Sequence, residues 1–493
     1  MTPKHPGPAP TGNGRAPPPR STHLAQAPLL LAATLTTGLL TALPAGTASA
    51  APSGLAGDFN GDGYRDVAVG AVCTTVGSAS CAGAVVVLYG SSTGVSATRK
   101  AVITQNSTGV PGTAEEGDLF GSSLATADLD RDGYSDLVVG SSGETVGDRD
   151  GVGSGTVLWG SKSGLSGGKG LPQPSGLSEW GGFSRGAATG DFDGDGDMDV
   201  TLTGQNHTRL YLGPFTRANG PLSNYRVGEL GTTYDVIAGD LSGDGAAERV
   251  YPFNVDGDPG GEVDYYRWTT GGYKFTKLPN ADGLSGSIAD INGDGYGDLV
   301  LGDSSDPNSD KPGGHKGGQI TVWYGGPNGP DPAQTPTVIH QDSANVPGSG
   351  ETDDGFGMFL STGDINGDKF ADVAVAAPGE DLGTAKEAGS VTVLFGSASG
   401  LKTSGSKSYT QDTAGVPGTA ESWDRFGSAV DLTDITKDGK ADLTVGVDGE
   451  NGSGGVWTLR GSATGLTTSG AQGLTAAAVS LKSTYYFGSV IAQ

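Results

Sequence analysis

Apolar and polar residues alternate along this chain in short blocks. In one repeat an apolar run, Ser122–Ala127, enters an acidic stretch and leaves it as Asp136-Leu-Val-Val-Gly140. A polar connection then leads to Gly155-Thr-Val-Leu-Trp159, and the turn Gly160-Ser-Lys-Ser-Gly164 sends the chain back. Apolar runs this short, bounded by Gly, Ser and Asp, predict strands. The turn recurs as Gly90–Gly94, Gly396–Gly400 and Gly461–Gly465. Gly makes up 89 of 493 residues. It stands at fixed places between Val/Leu/Ala-rich runs, so it reads as turn punctuation, not as disorder.

Between the first two apolar runs of each unit lies an acidic nonapeptide, beginning at Asp58, Asp128, Asp191, Asp240, Asp290, Asp364 and Asp434. The intervals are 70, 63, 49, 50, 74 and 70 residues. A period this long, with about four short strands per unit, predicts an all-β propeller of seven blades. Phe120, Phe356 and Phe426 stand eight residues before their Asp, each followed by Gly. Phe183 keeps the offset but is followed by Ser184; Thr232 and Asp282 replace the Phe in the next two repeats, which are read as degenerate. The loop at Asp58 has no Phe-Gly before it, and Phe487-Gly488 has no loop after it. Joined, the two ends complete one blade and close the ring without an open sheet edge.

Oxygen-bearing side chains at positions 1, 3, 5 and 9 of a Gly-containing turn suit a hard cation, which takes several oxygens at about 2.3–2.6 Å. An EF-hand needs a Glu at position 12; Val69 and Val139 stand there. Together with the acidic loop, the Phe-Gly pair and a following segment such as Ala376-Ala377-Pro378-Gly379-Glu380 resemble the FG-GAP repeat of integrin alpha-subunit propellers. Thr104–Glu115, His340-Gln341-Asp342 onward and Thr410–Glu421 are similar to its bacterial, actinomycete-type branch. The resemblance implies Ca²⁺ held by side chains at positions 1, 3, 5 and 9 and by the carbonyl at position 7 (Tyr64 in the first loop). The implied sets are Asp58, Asn60, Asp62, Asp66; Asp128, Asp130, Asp132, Asp136; and Asp191, Asp193, Asp195, Asp199. They continue with Asp290, Asn292, Asp294, Asp298; Asp364, Asn366, Asp368, Asp372; and Asp434, Thr436, Asp438, Asp442. These make six regular sites. The fourth loop, with Asp240, Ser242, Asp244 and Glu248, is degenerate and expected to be weak or empty.

The net charge of −26 disfavours nucleic acid and anionic membranes as partners. It has a local source: 23 carboxylates occupy ligand positions, and seven Ca²⁺ would supply +14. The first fifty residues read as a secretory signal peptide: basic Lys4, Arg15 and Arg20, an apolar run near Ala27–Leu43, then Ala48-Ser49-Ala50. The alternative is a membrane anchor, but that run is broken by Thr, Gly and Pro and falls short of the ~20 residues a span needs. Residues 51–493 then form the propeller. In a secreted chain Cys73 and Cys81 read as a disulfide; a metal pair is the alternative, with no His or further Cys nearby.

Gly-x-Ser-x-Gly occurs at Gly90–Gly94 and Gly182–Gly186. It marks a hydrolase nucleophile in other settings, but Ser92 and Ser184 fall where other repeats carry Lys162, Ala398, Gly121 or Gly357. No catalytic residue is assigned. Strand alternation puts the acidic loops and Gly-Ser turns on one face and the longer loops, with Trp180 and Trp423, on the other. The expected function is a secreted, monomeric, calcium-stabilised binding or adhesion module. Its ligand would be a glycan or protein on the long-loop face. The alternative is a secreted hydrolase or lyase acting on polysaccharide or phosphodiester bonds.

Overall fold

The computed structural model describes residues 53–493 except 206, 229–231, 234, 256–257, 280 and 308–313. The segment read as a leader lies outside the described residues, as does part of the loop at 304–318. Seven antiparallel sheets follow one another in a ring. Blade 2 is typical: Phe120–Ala127, Asp136–Ser141, Ser154–Trp159 and Ser166–Gly170 pair in sequence order from the centre outward. Second and third strands are buried almost throughout, as in Val67–Ala71 and Ala84–Leu88. Each is covered on both faces by neighbouring blades, which is why it reads as a continuous apolar run. Outer strands meet water, as in Lys402–Tyr409, where only Tyr409 is buried.

The hydrophobic core lies between blades. Val391 and Val393 of blade 6, for example, pack with Phe426, Val430, Leu432, Val445 and Trp457 of blade 7. At the centre, the inner strands of all seven blades line a cavity of about 670 Å³.

The ring closes as the complementary ends predict. Val490–Ile491 pairs with Val67–Ala71, joining Val69 to Ile491 and Gly70 to Val490, and so becomes the inner strand of blade 1. Gln493 then donates from Nε2 to the carbonyls of Leu360 (3.1 Å) and Val430 (3.2 Å), tying the chain end to blades 6 and 7.

The Phe-Gly pair is a latch between blades. The Phe N–H of each reaches a carbonyl of the preceding blade: Phe120 to Ala82 at 2.9 Å, Phe356 to Gly317 at 2.7 Å, Phe426 to Ala388 at 2.8 Å and Phe487 to Ser453 at 3.2 Å. Each of these rings is fully buried. Gly121 has φ of +97° and backs onto the Ala84 carbonyl, where a Cβ would approach to 2.9 Å. Ser184 takes the same left-handed turn in blade 3, and its Oγ donates to the Ser154 carbonyl at 2.5 Å.

The expectation of two degenerate blades needs correction. Blade 4 is irregular, its inner strand split into Thr232–Thr233 and Ile237–Gly239. Blade 5 is a regular four-stranded sheet despite lacking the Phe. Its inner strand, Ser285–Ala289, pairs in full with Asp298–Asp303, so the sheet does not depend on the latch.

Candidate functional site: the ring of acidic loops

Each acidic loop is folded by its own carboxylates. In loop 2 the Asp128 carboxylate accepts from the N–H groups of Asp132 (3.1 Å) and Gly133 (2.9 Å), and Asp132 accepts from Tyr134 (3.0 Å). Asp136, fully buried, accepts from Leu129 at 2.9 Å with Oδ2 and from Gly160 at 2.8 Å with Oδ1. The second bond matters for the architecture. Gly160 opens the Gly-Ser turn after the third strand, so position 9 ties the loop to that turn. Asp66 does this to Gly90, Asp199 to Gly213, Asp298 to Gly325, Asp372 to Gly396 and Asp442 to Gly461. Loop and turn therefore share one face, as strand alternation predicts.

The loops are also linked to one another, which spacing alone does not reveal. The carbonyl at position 1 accepts from the N–H at position 8 of the next loop. Ser135 reaches Asp58 at 3.0 Å, Ala247 reaches Asp191 at 2.8 Å and Gly297 reaches Asp240 at 2.9 Å. Ala371 reaches Asp290 at 3.0 Å and Ala441 reaches Asp364 at 2.7 Å.

Burial makes the position-9 carboxyls hard to ionise. It pushes Asp66 and Asp136 up to about 8, Asp199 and Asp372 to about 7 and Asp298 to about 6. Backbone N–H bonds pull the other way, and repulsion from neighbouring loop carboxylates adds to the rise. A divalent cation would relieve that cost directly.

The residues fit one. In loops 2 and 3, ligand atoms of Asp128, Asp130 and Asp136, and of Asp191, Asp193 and Asp199, all lie within 4.8 Å of one another. Oxygens bound to one Ca²⁺ at about 2.3–2.6 Å are separated by up to about 5 Å. Asp130 Oδ1 and Asp193 Oδ1 are buried with no hydrogen-bond partner, the condition of an oxygen awaiting a cation. Three converging carboxylates occur in these two loops because both carry Asp at position 3. Asn60, Asn292, Asn366 and Thr436 bring neutral oxygens there instead. The Asp130 and Asp132 carboxylates also pair with Arg217 of blade 3, at 2.5 and 2.6 Å.

Loop 4 is built differently. Glu248 accepts from the N–H of Leu241 (2.7 Å) and from the Ser242 hydroxyl (2.9 Å). The position-3 oxygen is thus turned onto the position-9 carboxylate.

The opposite face carries the connections between second and third strands and between blades. The Cys73–Cys81 disulfide is formed, and Cys73–Thr74 pairs with Thr484–Tyr485. Three recurring segments dock here through a Gln: Gln105 Nε2 to Glu144 at 2.7 Å, Gln411 to Glu450 at 2.8 Å, and Gln341 to Glu380. Trp180 and Trp423 are 67% and 58% exposed. His315 and His340, far apart in the sequence, stack on this face with ring centroids 3.6 Å apart. The one sequence signal was that His340 stands where other repeats have Thr104 and Thr410. Ser184 is fully buried, which rules out the nucleophile reading of its motif, and Val69 and Val139 are buried strand residues that cannot ligate.

The comparisons agree with this architecture. The FG-GAP repeat matches residues 50–72, 120–158, 356–394 and 426–459, and an FG-GAP-like repeat matches 191–251. Three of these matches begin at Phe120, Phe356 and Phe426, the latch residues. Integrin alpha-PS2 of Drosophila melanogaster is 30% identical over 224 residues, covering 39% of this chain and 15% of the relative's length. With latch, acidic loop and turn recurring around the ring, the chain is a seven-bladed β-propeller that carries FG-GAP repeats in several of its blades.

Proposed function

We propose that the protein is a secreted, calcium-stabilised propeller that binds a glycan or protein through its long-loop face. The observation that carries this reading is the division of labour between faces. One face is taken up by acidic loops bonded to turns and to each other. Four of the five exposed aromatic side chains among the described residues (Trp180, Trp423, Tyr485 and Tyr486) lie on the other. Exposed aromatics stack on sugars or anchor protein partners, and binding residues concentrate on loops held by a rigid scaffold. Calcium has a structural role in this reading: the proposed ligands are the six regular sets, with loop 4 weak or empty. Export is supported by the leader-like sequence and the disulfide. The relative being an integrin alpha chain favours a protein ligand.

The test is a glycan array and a pull-down from surface and secreted fractions in Ca²⁺, run with wild type and with Trp423→Ala/Tyr486→Ala. Binding lost in the variant supports the reading. Ligand binding untouched by loss of these aromatics would move the site elsewhere. The hydrolase or lyase reading is favoured by the His315–His340–Asp342 cluster on the same face. Turnover of polysaccharide or phosphodiester substrates, abolished by His340→Thr, would establish it.

A further inference from the structure

His315 lies in the connection before Gln319–Trp323, and His340 follows Thr337–Ile339, both in blade 5. His315 Nε2 is 3.4 Å from Asp342 Oδ2, and one ligand atom from each of the three residues falls within 4.8 Å of the others. His315 Nδ1 lies 2.8 Å from the Lys316 carbonyl. The carbonyl can only accept, so Nδ1 donates, and in the neutral ring the Nε2 lone pair faces the carboxylate. Metal-binding histidines are held this way, with the second nitrogen donating to a backbone carbonyl. His340 Nδ1 is buried and has no hydrogen-bond partner.

Comparison among blades separates what the fold needs from what blade 5 adds. Asp342 Oδ1 accepts from the Gly350 N–H at 3.1 Å. Asn106 does the same for Ala114 at 3.1 Å, and Asp412 for Ala420 at 3.0 Å. The turn therefore uses one oxygen, which an amide supplies equally well, and the second oxygen of Asp342 is left to face His315. The backbone bond from His340 to Ser343 Oγ (3.0 Å) is matched at Thr104 and Thr410 (3.0 and 2.9 Å), so the turn does not need an imidazole.

We propose that His315, His340 and Asp342 form a site for a divalent transition-metal ion of the zinc class, with an open coordination position on the long-loop face. Nitrogen and oxygen ligands at about 2.0–2.2 Å from a tetrahedral ion stand about 3.3 Å apart. The His315–Asp342 separation already matches this. The two rings, 7° from parallel, must tilt so that their lone pairs converge, so metal binding breaks the stack. Imidazole donors select zinc-like ions over calcium. The His315 and Asp342 side chains are 26% and 46% exposed, which gives the ion a path in.

The test uses the full chain, stripped with chelator and then saturated with Ca²⁺, titrated with Zn²⁺ by calorimetry and with Co²⁺ by visible absorption. The expected result is one zinc site per chain and a tetrahedral Co²⁺ spectrum. Both should weaken about 100-fold or more in His340→Thr and in Asp342→Asn. Each substitution installs the residue another blade carries at that position, so zinc-free melting should stay at the wild-type value. Zinc binding that survives both substitutions, or no zinc binding by the calcium-saturated wild type, overturns the proposal.

Discussion

Asp372 and Asp368 sit in the same acidic loop, and their removal should cost different amounts without calcium and lose the same further amount with it. Asp372, fully buried, accepts from the N–H groups of Ile365 and Gly396, each at 3.0 Å. Asp372→Ala leaves both buried donors without a partner, at about 1–3 kcal/mol each. The carboxyl is itself pushed up to about 7, mainly by burial. Relief of that cost returns part of the loss, for a net of about 1–4 kcal/mol in excess chelator. Asp368 is exposed and accepts from Phe370 at 3.0 Å. Asp368→Ala should cost about 0.5 kcal/mol or less in chelator. With Ca²⁺ at a hundred times its dissociation constant, loss of one cage adds about 2.7 kcal/mol to both. Denaturant midpoints, with hydrogen exchange of blade 6 amides, read the difference. Equal losses for the two variants in chelator, or an Asp368→Ala loss that ignores Ca²⁺, would refute the division between a position that fastens the sheet and one that serves the ion.

Two further outcomes are expected. Deleting Val490–Gln493 removes the inner strand of blade 1 and exposes the edge of Val67–Ala71, so the truncated chain should melt lower and form larger species in size-exclusion light scattering; an unchanged size and melt would show that the ring does not depend on this closure. Glu144 is raised to about 7, first by burial and then by Asp118. Its ordinary value is 4.5, so the folded state binds the proton more tightly and stability falls as pH rises from about 4.5 through 7. Glu144→Gln should make the fall of melting temperature across that window shallower, and an identical slope in the variant would remove Glu144 as a contributor.

The recurring pattern carried most of the architecture because each of its parts performs a bond. The Phe-Gly pair is legible because a buried ring and a left-handed turn admit few residue types. The acidic loop is legible because its own carboxylates fold it by accepting from its N–H groups, which fixes their spacing. Other features escaped because backbone atoms make them. The link from position 8 to the preceding position 1 is N–H to C=O, and Ser135, Ala247, Gly297, Ala371 and Ala441 serve it equally. Blade 5 looked degenerate from its missing Phe, yet ladder pairing along Ser285–Ala289 builds it without a latch. His315 and His340 were invisible as a pair because their meeting depends on how two connections of one blade fold over each other.

The account rests on calcium fastening the acidic loops, and a thermal melt in Ca²⁺ against excess chelator tests it most directly. Six regular cages, each contributing about 2.7 kcal/mol at a hundredfold excess over its dissociation constant, predict a large fall in melting temperature on chelation, restored by added Ca²⁺. A melt that is the same in both conditions would contradict it.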